Sequence, residues 1–548
     1  MEHSFNKNIT RTIVEHWAKP ALSDLTGGTY TYGEMAESIA KIHLYFKAIG
    51  LKPGDKVALC GRNSRTWALT FFATVTYGAV CVPILNEFKP DNIHHLVNHS
   101  DSVLLFVDEQ IWHELDHGDM PAIKGVFDSS NFALLDCRDE KLRETGRNLQ
   151  SIFDAAYPAG FGPDDVKYYH DKPDELMLIN YTSGSTGFSK GVMLTYGNLM
   201  SNAQFALDEI PYLGPDDGML SMLPMAHMYG LLVELIFPIL KGAHVQFLGR
   251  VPSPKILLDA FAKVKPKIVI TVPLVIEKIV TGKIMPALNK PMMKVLTMIP
   301  GVRGAIYKKV REKMIDAFGG NLVMVVIGGA ALAPEVEKLL RKIHFPYTVG
   351  YGMTECAPLI AYASPDVFKA KSCGVTVSRM EVRIDSPAPE HIPGELWVRG
   401  ANVMKGYYKN PEATEAVFSD GWMNTGDMCI RDKDGFIFIK GRSKTMILGP
   451  SGQNIYPEEI EGQLNHMPLV GESLVVEREG ALVALVVPDE DTVKRLKLTP
   501  EQITAQMDEN VVLLNKALPA YARIKSIELL DEPFEKTPKH SIKRYLYK

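Results

Sequence analysis

"TWALTFFATVTYGAVCVPIL", Thr66 to Leu85, runs for twenty residues without a charge. One continuous helix of that length would cross a bilayer. The run also holds four threonines, Gly78 and Pro83. It reads better as an amphipathic helix broken at Gly78 and followed by a buried strand, "AVCVPIL". The first reading makes a membrane protein; the second makes one unit of a layered α/β fold.

Working outward, the same unit recurs. "KVALC" precedes a helix at Arg65, "SVLLFVD" follows, "KIVITVP" leads into "LVIEKIV", and "LVMVVIGGA" leads into "APEVEKLLRKI". Strands alternating with crossover helices predict parallel sheets. After about Ala370 short strands and turns take over ("GELWVRG", "WMNTGDMCI", "GFIFIKGR"), which suggests a partly antiparallel, barrel-like piece. From Lys444 a fresh set begins, with a helix "PEEIEGQLNHM", strands "ESLVVERE" and "ALVALVVP", and a helix near Asp508 to Leu518. The expected fold is therefore α/β. Residues 1–443 form a large domain of two α/β sheet subdomains plus a distorted β-barrel, and residues 444–548 a small C-terminal α+β domain.

Composition narrows the function. A chain of 548 residues with 46% hydrophobic and 23% charged side chains is globular and too long for one core. A net charge of -4 gives no general attraction to nucleic acid, so none is expected as a partner. Six scattered cysteines without a C-x-x-C pair suit reduced thiols, and Met1 to Trp17 carries no signal-peptide apolar run. The expected location is the cytoplasm, with peripheral membrane contact left open.

"YTSGSTGFSKGV", residues 181–192, gathers glycines, hydroxyls and an amine in one loop. Such a loop offers donors to several oxygens at once, as a polyphosphate needs, although Ser189 before Lys190 breaks the strict Walker A pattern. "HELDH" (His113 to His117) matches the H-E-x-x-H zinc pattern, but Gly118 and Pro121 end any helix there and no third ligand is near. It reads as a polar helix end. No G-x-S-x-G elbow surrounds Ser185 or Ser451, and Glu355 replaces the third glycine of a dinucleotide fingerprint in "GYGMTE".

"YTSGSTGFSKGVMLTYGNL", "LPMAHMYG", "GGAALAPE", "GYGMTECAPL", "GELWVRGANVMKGYYKNPEAT", "GWMNTGDMCIRDKDGFIFIKGRSK" and "GQNIYPEEIE" follow one another in that order. Together they resemble the acyl-adenylate-forming superfamily of AMP-dependent synthetases and ligases across essentially the whole chain. Within it the chain looks most like the fatty acid–CoA ligases. The resemblance implies that a fatty acid attacks ATP, releasing pyrophosphate, and that the acyl-AMP then passes to the thiol of coenzyme A. An acyl carrier protein is the alternative acceptor, and a catalytically weakened paralogue the alternative to an enzyme.

The resemblance also implies roles. Thr182, Ser183, Gly184, Ser185, Thr186, Gly187 and Lys190 would embrace the β- and γ-phosphates, with Thr182 and Glu355 near Mg²⁺. Tyr351 would stack on adenine, with Gly329, Ala330 and Ala331 behind it and Gly352 and Thr354 alongside. Asp427 would accept from the ribose hydroxyls with Arg442 as its companion, and His227 would wall the acyl pocket. A mobile C-terminal domain would turn about Lys444, bringing the loop with Gly449 and Gly452 to the pantetheine tunnel. One position departs from the pattern: where the family carries a lysine in "T-x-x-G-K-I-x-R", this chain has "KTPKHSIKR", with Ser541 at the lysine position. Lys543 is the favoured substitute and Lys539 the second.

Overall fold

The computed structural model describes residues 4–182, 189–330, 332–448, 453–537 and 541–547. Thr66 to Leu85 is a helix, Arg65–Thr76, then a strand, Val80–Ile84, with Gly78 at φ +88° between them. The threonines explain how so polar a helix is buried. Thr70, Thr74 and Thr76 donate to the carbonyls of Thr66, Thr70 and Phe72 at 3.0, 2.8 and 2.6 Å, so no hydroxyl among these three is left unsatisfied in the core. Gly78 is needed twice over, because its φ is left-handed and a Cβ there would lie 2.7 Å from the Tyr169 ring. Among the described residues no helix is long and apolar enough to cross a membrane.

That strand belongs to an eight-stranded sheet ordered Gly406–Tyr407, Lys190–Thr195, Leu176–Thr182, Val80–Ile84, Lys56–Cys60, Ser102–Val107, Gly125–Asp128, Leu134–Cys137. Its central pairs are parallel and its edges antiparallel. Ile268–Thr271, Met324–Ile327 and Tyr347–Val349 form a separate parallel sheet. Each run of apolar β-branched residues is buried, as strands covered by helices require.

The barrel-like piece is an open antiparallel half-barrel rather than a closed barrel. Met380–Asp385, Gly394–Gly400, Trp422–Arg431 and Phe418–Ser419 lie in that order, and Ile437–Arg442 pairs with Trp422–Arg431. The small C-terminal domain packs the helices Pro457–Leu464 and Pro500–Ala517 on the sheet Val470–Arg478, Ala481–Pro488, Ile524–Leu529. Its second helix starts earlier than expected from the sequence, because Thr499 and Gln502 close a capping box. The two histidines of "HELDH" do not share a helix. His113 ends the single turn Glu109–Trp112, and His117 bonds Asp136 across the next loop.

Candidate active site

The glycine-rich loop joins two antiparallel neighbours, Leu176–Thr182 and Lys190–Thr195, with Thr182 opposite Lys190. A Walker loop runs from strand to helix, so the helix-terminus field available there is not available here. Lys190, the first residue of the returning strand, offers a positive charge there. Its Nζ lies 4.9 Å from the centroid of the Tyr407 ring. Tyr407 gets there because Gly406–Tyr407 pairs with Lys190–Thr195 at the sheet edge. Its hydroxyl donates to Oε1 of Glu355 at 3.0 Å, linking the lysine strand to the acid.

Glu355 sits in the one-turn 3₁₀ segment Thr354–Cys356, nearly buried, while its own carbonyl accepts from Met404 N–H at 2.8 Å. The parallel pairing of Met324–Ile327 with Tyr347–Val349 brings Gly329 and Ala330 beside Tyr351 and Gly352 at the carboxyl ends of the strands. In α/β sheets this is where ligands bind. Gly352 admits no side chain, since a Cβ would lie 2.1 Å from the Pro358 carbonyl oxygen.

Tyr351, Asp427 and Arg442 form one cluster. The Tyr351 hydroxyl donates to Oδ2 of Asp427, and Arg442 Nε lies 2.8 Å from Oδ1. Burial pushes the Asp427 carboxyl above its usual range, with Arg442 and Tyr351 pulling it back. Burial and then the Asp427 charge push the Tyr351 phenol well up, so it stays a donor.

The remaining sites lie apart. His227 is the N-cap of the turn Met228–Gly230. Lys444 is exposed in the 3₁₀ turn Ser443–Thr445, where the chain passes from the half-barrel to the C-terminal domain. Lys543 pairs with Glu535 at 3.0 Å on the C-terminal domain's own surface, and that carboxylate raises its pKa. Ser183, Gly184, Ser185, Thr186, Gly187, Ala331, Gly449, Gly452 and Lys539 lie outside the described residues.

Residues that sequence reasoning missed complete the surroundings. Besides Tyr407, Asn63 braces the "LPMAH" segment, donating to Leu223 O at 2.5 Å and accepting from Met225 N–H at 2.9 Å. Glu234, fully buried, accepts from the N–H groups of Met222 and Leu223 at 2.9 Å each. Burial raises its pKa to about 8. The sequence signal for Tyr407 was its place in "GYYKNP", and for Glu234 a lone acid in an apolar run.

Thr182 and Glu355 offer a hydroxyl and a carboxylate, hard oxygen donors of the kind Mg²⁺ takes alongside phosphate oxygens. No group of three or more His, Cys, Asp or Glu able to cage a metal exists among the described residues.

Residues 9–408 match the AMP-binding enzyme family and residues 444–547 the AMP-binding enzyme C-terminal domain. A feruloyl-CoA synthase of Amycolatopsis sp is 30% identical over 92% of this chain and 91% of its own. A long-chain-fatty-acid–CoA ligase of Mycobacterium bovis is 28% identical over 94% and 89%. The ATP-bound crystal structure of MatB from Rhodopseudomonas palustris superposes with a TM-score of 0.76 at 22% identity, covering 100% of this chain and 98% of that one. The two family models together span most of the chain, and the chain belongs to the AMP-binding enzyme family.

Proposed function

We propose that this protein activates a fatty acid with ATP and transfers it to coenzyme A. The observation that carries the reading is the convergence of Lys190, Tyr407 and Glu355 beside the Tyr351–Asp427–Arg442 cluster. A carboxylate resists attack by a thiol because its leaving group would be oxide. It therefore attacks the α-phosphorus of ATP, forming an acyl–phosphate bond as the bond to pyrophosphate breaks. Lys190 faces the charge that develops on the phosphates. Mg²⁺, held by Glu355 and Thr182 with phosphate oxygens, would neutralise part of that charge. Asp427 accepts from the ribose, Tyr351 stacks on adenine, and Gly329 and Ala330 support it from behind. The thiolate of coenzyme A then attacks the acyl carbon and AMP leaves.

The fatty acid assignment is supported by the long-chain relatives, such as the M. bovis ligase. A hydroxycinnamate is the second reading, favoured by the feruloyl-CoA synthase. Pyrophosphate exchange over acids from acetate to oleate, with ferulate included, tests the choice. Thioester detection with coenzyme A and with a carrier protein then identifies the acceptor. Exchange driven best by medium to long saturated acids supports the proposal; exchange driven best by ferulate, acetate or amino acids overturns it.

A further inference from the structure

From Lys278 to Arg311 the chain carries eight lysines and arginines and no aspartate or glutamate, although the whole protein is net acidic. This segment folds as short helices, Met285–Leu288 and Pro291–Leu296, followed by the longer Pro300–Ala317. Tyr307, Val310 and Met314 of the last helix pack on the core. The stretch before it, from the short helix Pro291–Leu296 onward, does the opposite. Met292, Val295 and Met298 are 72%, 61% and 78% exposed, with Ile299 and Val302 continuing the ridge. So many large apolar side chains exposed within residues 292–302 mark a contact surface.

Beside the ridge lies a cleft of about 660 Å³. Arg303, Tyr307 and Arg311, one turn apart on the same helix face, form one wall, and Lys342 and His344 form the other. Among the described residues neither Arg303, Arg311 nor Lys342 has an acidic partner. The cleft lies by the chain entering Tyr347–Val349, whereas the candidate active site lies where that strand ends. It is therefore no part of the nucleotide site.

We propose that this ridge and cleft form a docking surface for an anionic membrane, with the apolar side chains entering the interface and the cations facing lipid phosphates. An apolar ridge flanked by unpaired cations is complementary to such a surface, and no helix among the described residues is fit to span the bilayer. The inference stands on this surface alone, whichever acid is activated.

Flotation of the full chain tests it, using vesicles of phosphatidylcholine and of phosphatidylcholine mixed with phosphatidylglycerol. The wild type is expected to float with the anionic vesicles, about tenfold more than with the neutral ones, and to be released by salt. Met292→Glu with Met298→Glu, and separately Arg303→Glu with Arg311→Glu, should each lower binding about tenfold or more while pyrophosphate exchange with a soluble acid stays intact. Three results would overturn the proposal: no flotation of the wild type, flotation indifferent to lipid charge, or flotation unchanged in both variants. So would a wild-type dimer that ignores vesicles and falls apart in Met292→Glu with Met298→Glu, since the ridge would then seat a second copy of the chain.

Discussion

Arg442 Nε lies 2.8 Å from Asp427 Oδ1 because the two residues stand directly opposite each other in the antiparallel pairing of Trp422–Arg431 with Ile437–Arg442. The sheet register thus sets the acceptor that the ribose is proposed to use. Asp427→Ala should weaken ATP binding by about 1–3 kcal/mol, because buried hydroxyls lose a charged acceptor. Titration calorimetry with ATP measures this; unchanged affinity would remove Asp427 from the site. In Arg442→Met the carboxylate loses the charge that opposes its burial, so its pKa rises further. The acidic limb of exchange activity should then move to higher pH.

Tyr407 makes a separable pair of contacts. Tyr407→Phe keeps the ring under Lys190 but loses the bond to Glu355, a loss of about 0.5–1.5 kcal/mol, or two- to tenfold in pyrophosphate exchange. Tyr407→Leu loses both contacts and should be slower than Tyr407→Phe. Equal rates in the two variants would mean that the ring does not hold Lys190.

Local patterns made much of this legible. The break at Gly78, the alternation of strands and helices and the change of texture near Ala370 each depend on residues within one element. The motifs named the candidate residues but not their contacts. Tyr407 and Glu355 are 52 residues apart and meet only because a two-residue strand joins the edge of the eight-stranded sheet. The glycine loop could not be told from a strand-to-helix loop, since its antiparallel pairing depends on where Lys190–Thr195 docks. Glu234 shows no sign in the sequence of its two backbone donors, which come from the segment leaving another strand.

Lys444 sits in a turn whose hydrogen bond runs from Met446 N–H to Arg442 O at 3.2 Å. Proline at 444 would fix φ and restrict Ser443 before it. If the C-terminal domain turns here, Lys444→Pro should still make adenylate while thioester formation falls. Rapid-quench assays of the two half-reactions measure this, and equal loss of both would place the hinge elsewhere.

Glu234 ties stability to pH. Its pKa is about 8 in the folded chain against an ordinary 4.5. Below about 4.5 both states hold the proton. Between there and about 8 the unfolded chain releases a proton that the folded chain keeps, so stability falls as pH rises and levels off above that range. Glu234→Gln retains an acceptor for Met222 and Leu223 and cannot ionise. Denaturant melts from pH 5 to 8 should therefore be flatter for Glu234→Gln than for the wild type by about 1 kcal/mol or more. Parallel pH dependences would show that Glu234 does not titrate in this window.

In the proposed adenylation step negative charge builds on the α-phosphate oxygens, and a cation beside them would stabilise it. Ser541 has no charge to offer, and Ile542, bridged to Lys536, anchors the segment against the C-terminal sheet. Lys543 N–H donates to Glu535 O at 2.8 Å and its ammonium pairs with the Glu535 carboxylate, so in this arrangement both ends of the residue are engaged. The pair is exposed, and breaking it costs little. If Lys543 serves adenylation, Lys543→Ala should lose pyrophosphate exchange while keeping thioester formation from supplied acyl adenylate. Glu535→Gln, which frees the ammonium, should leave exchange equal or faster. The same loss in Lys539→Ala instead would move the role to the second candidate. If neither alanine variant loses exchange and Ser541→Lys gains strongly, the wild-type chain carries out adenylation without this charge, and its rate is limited by that lack.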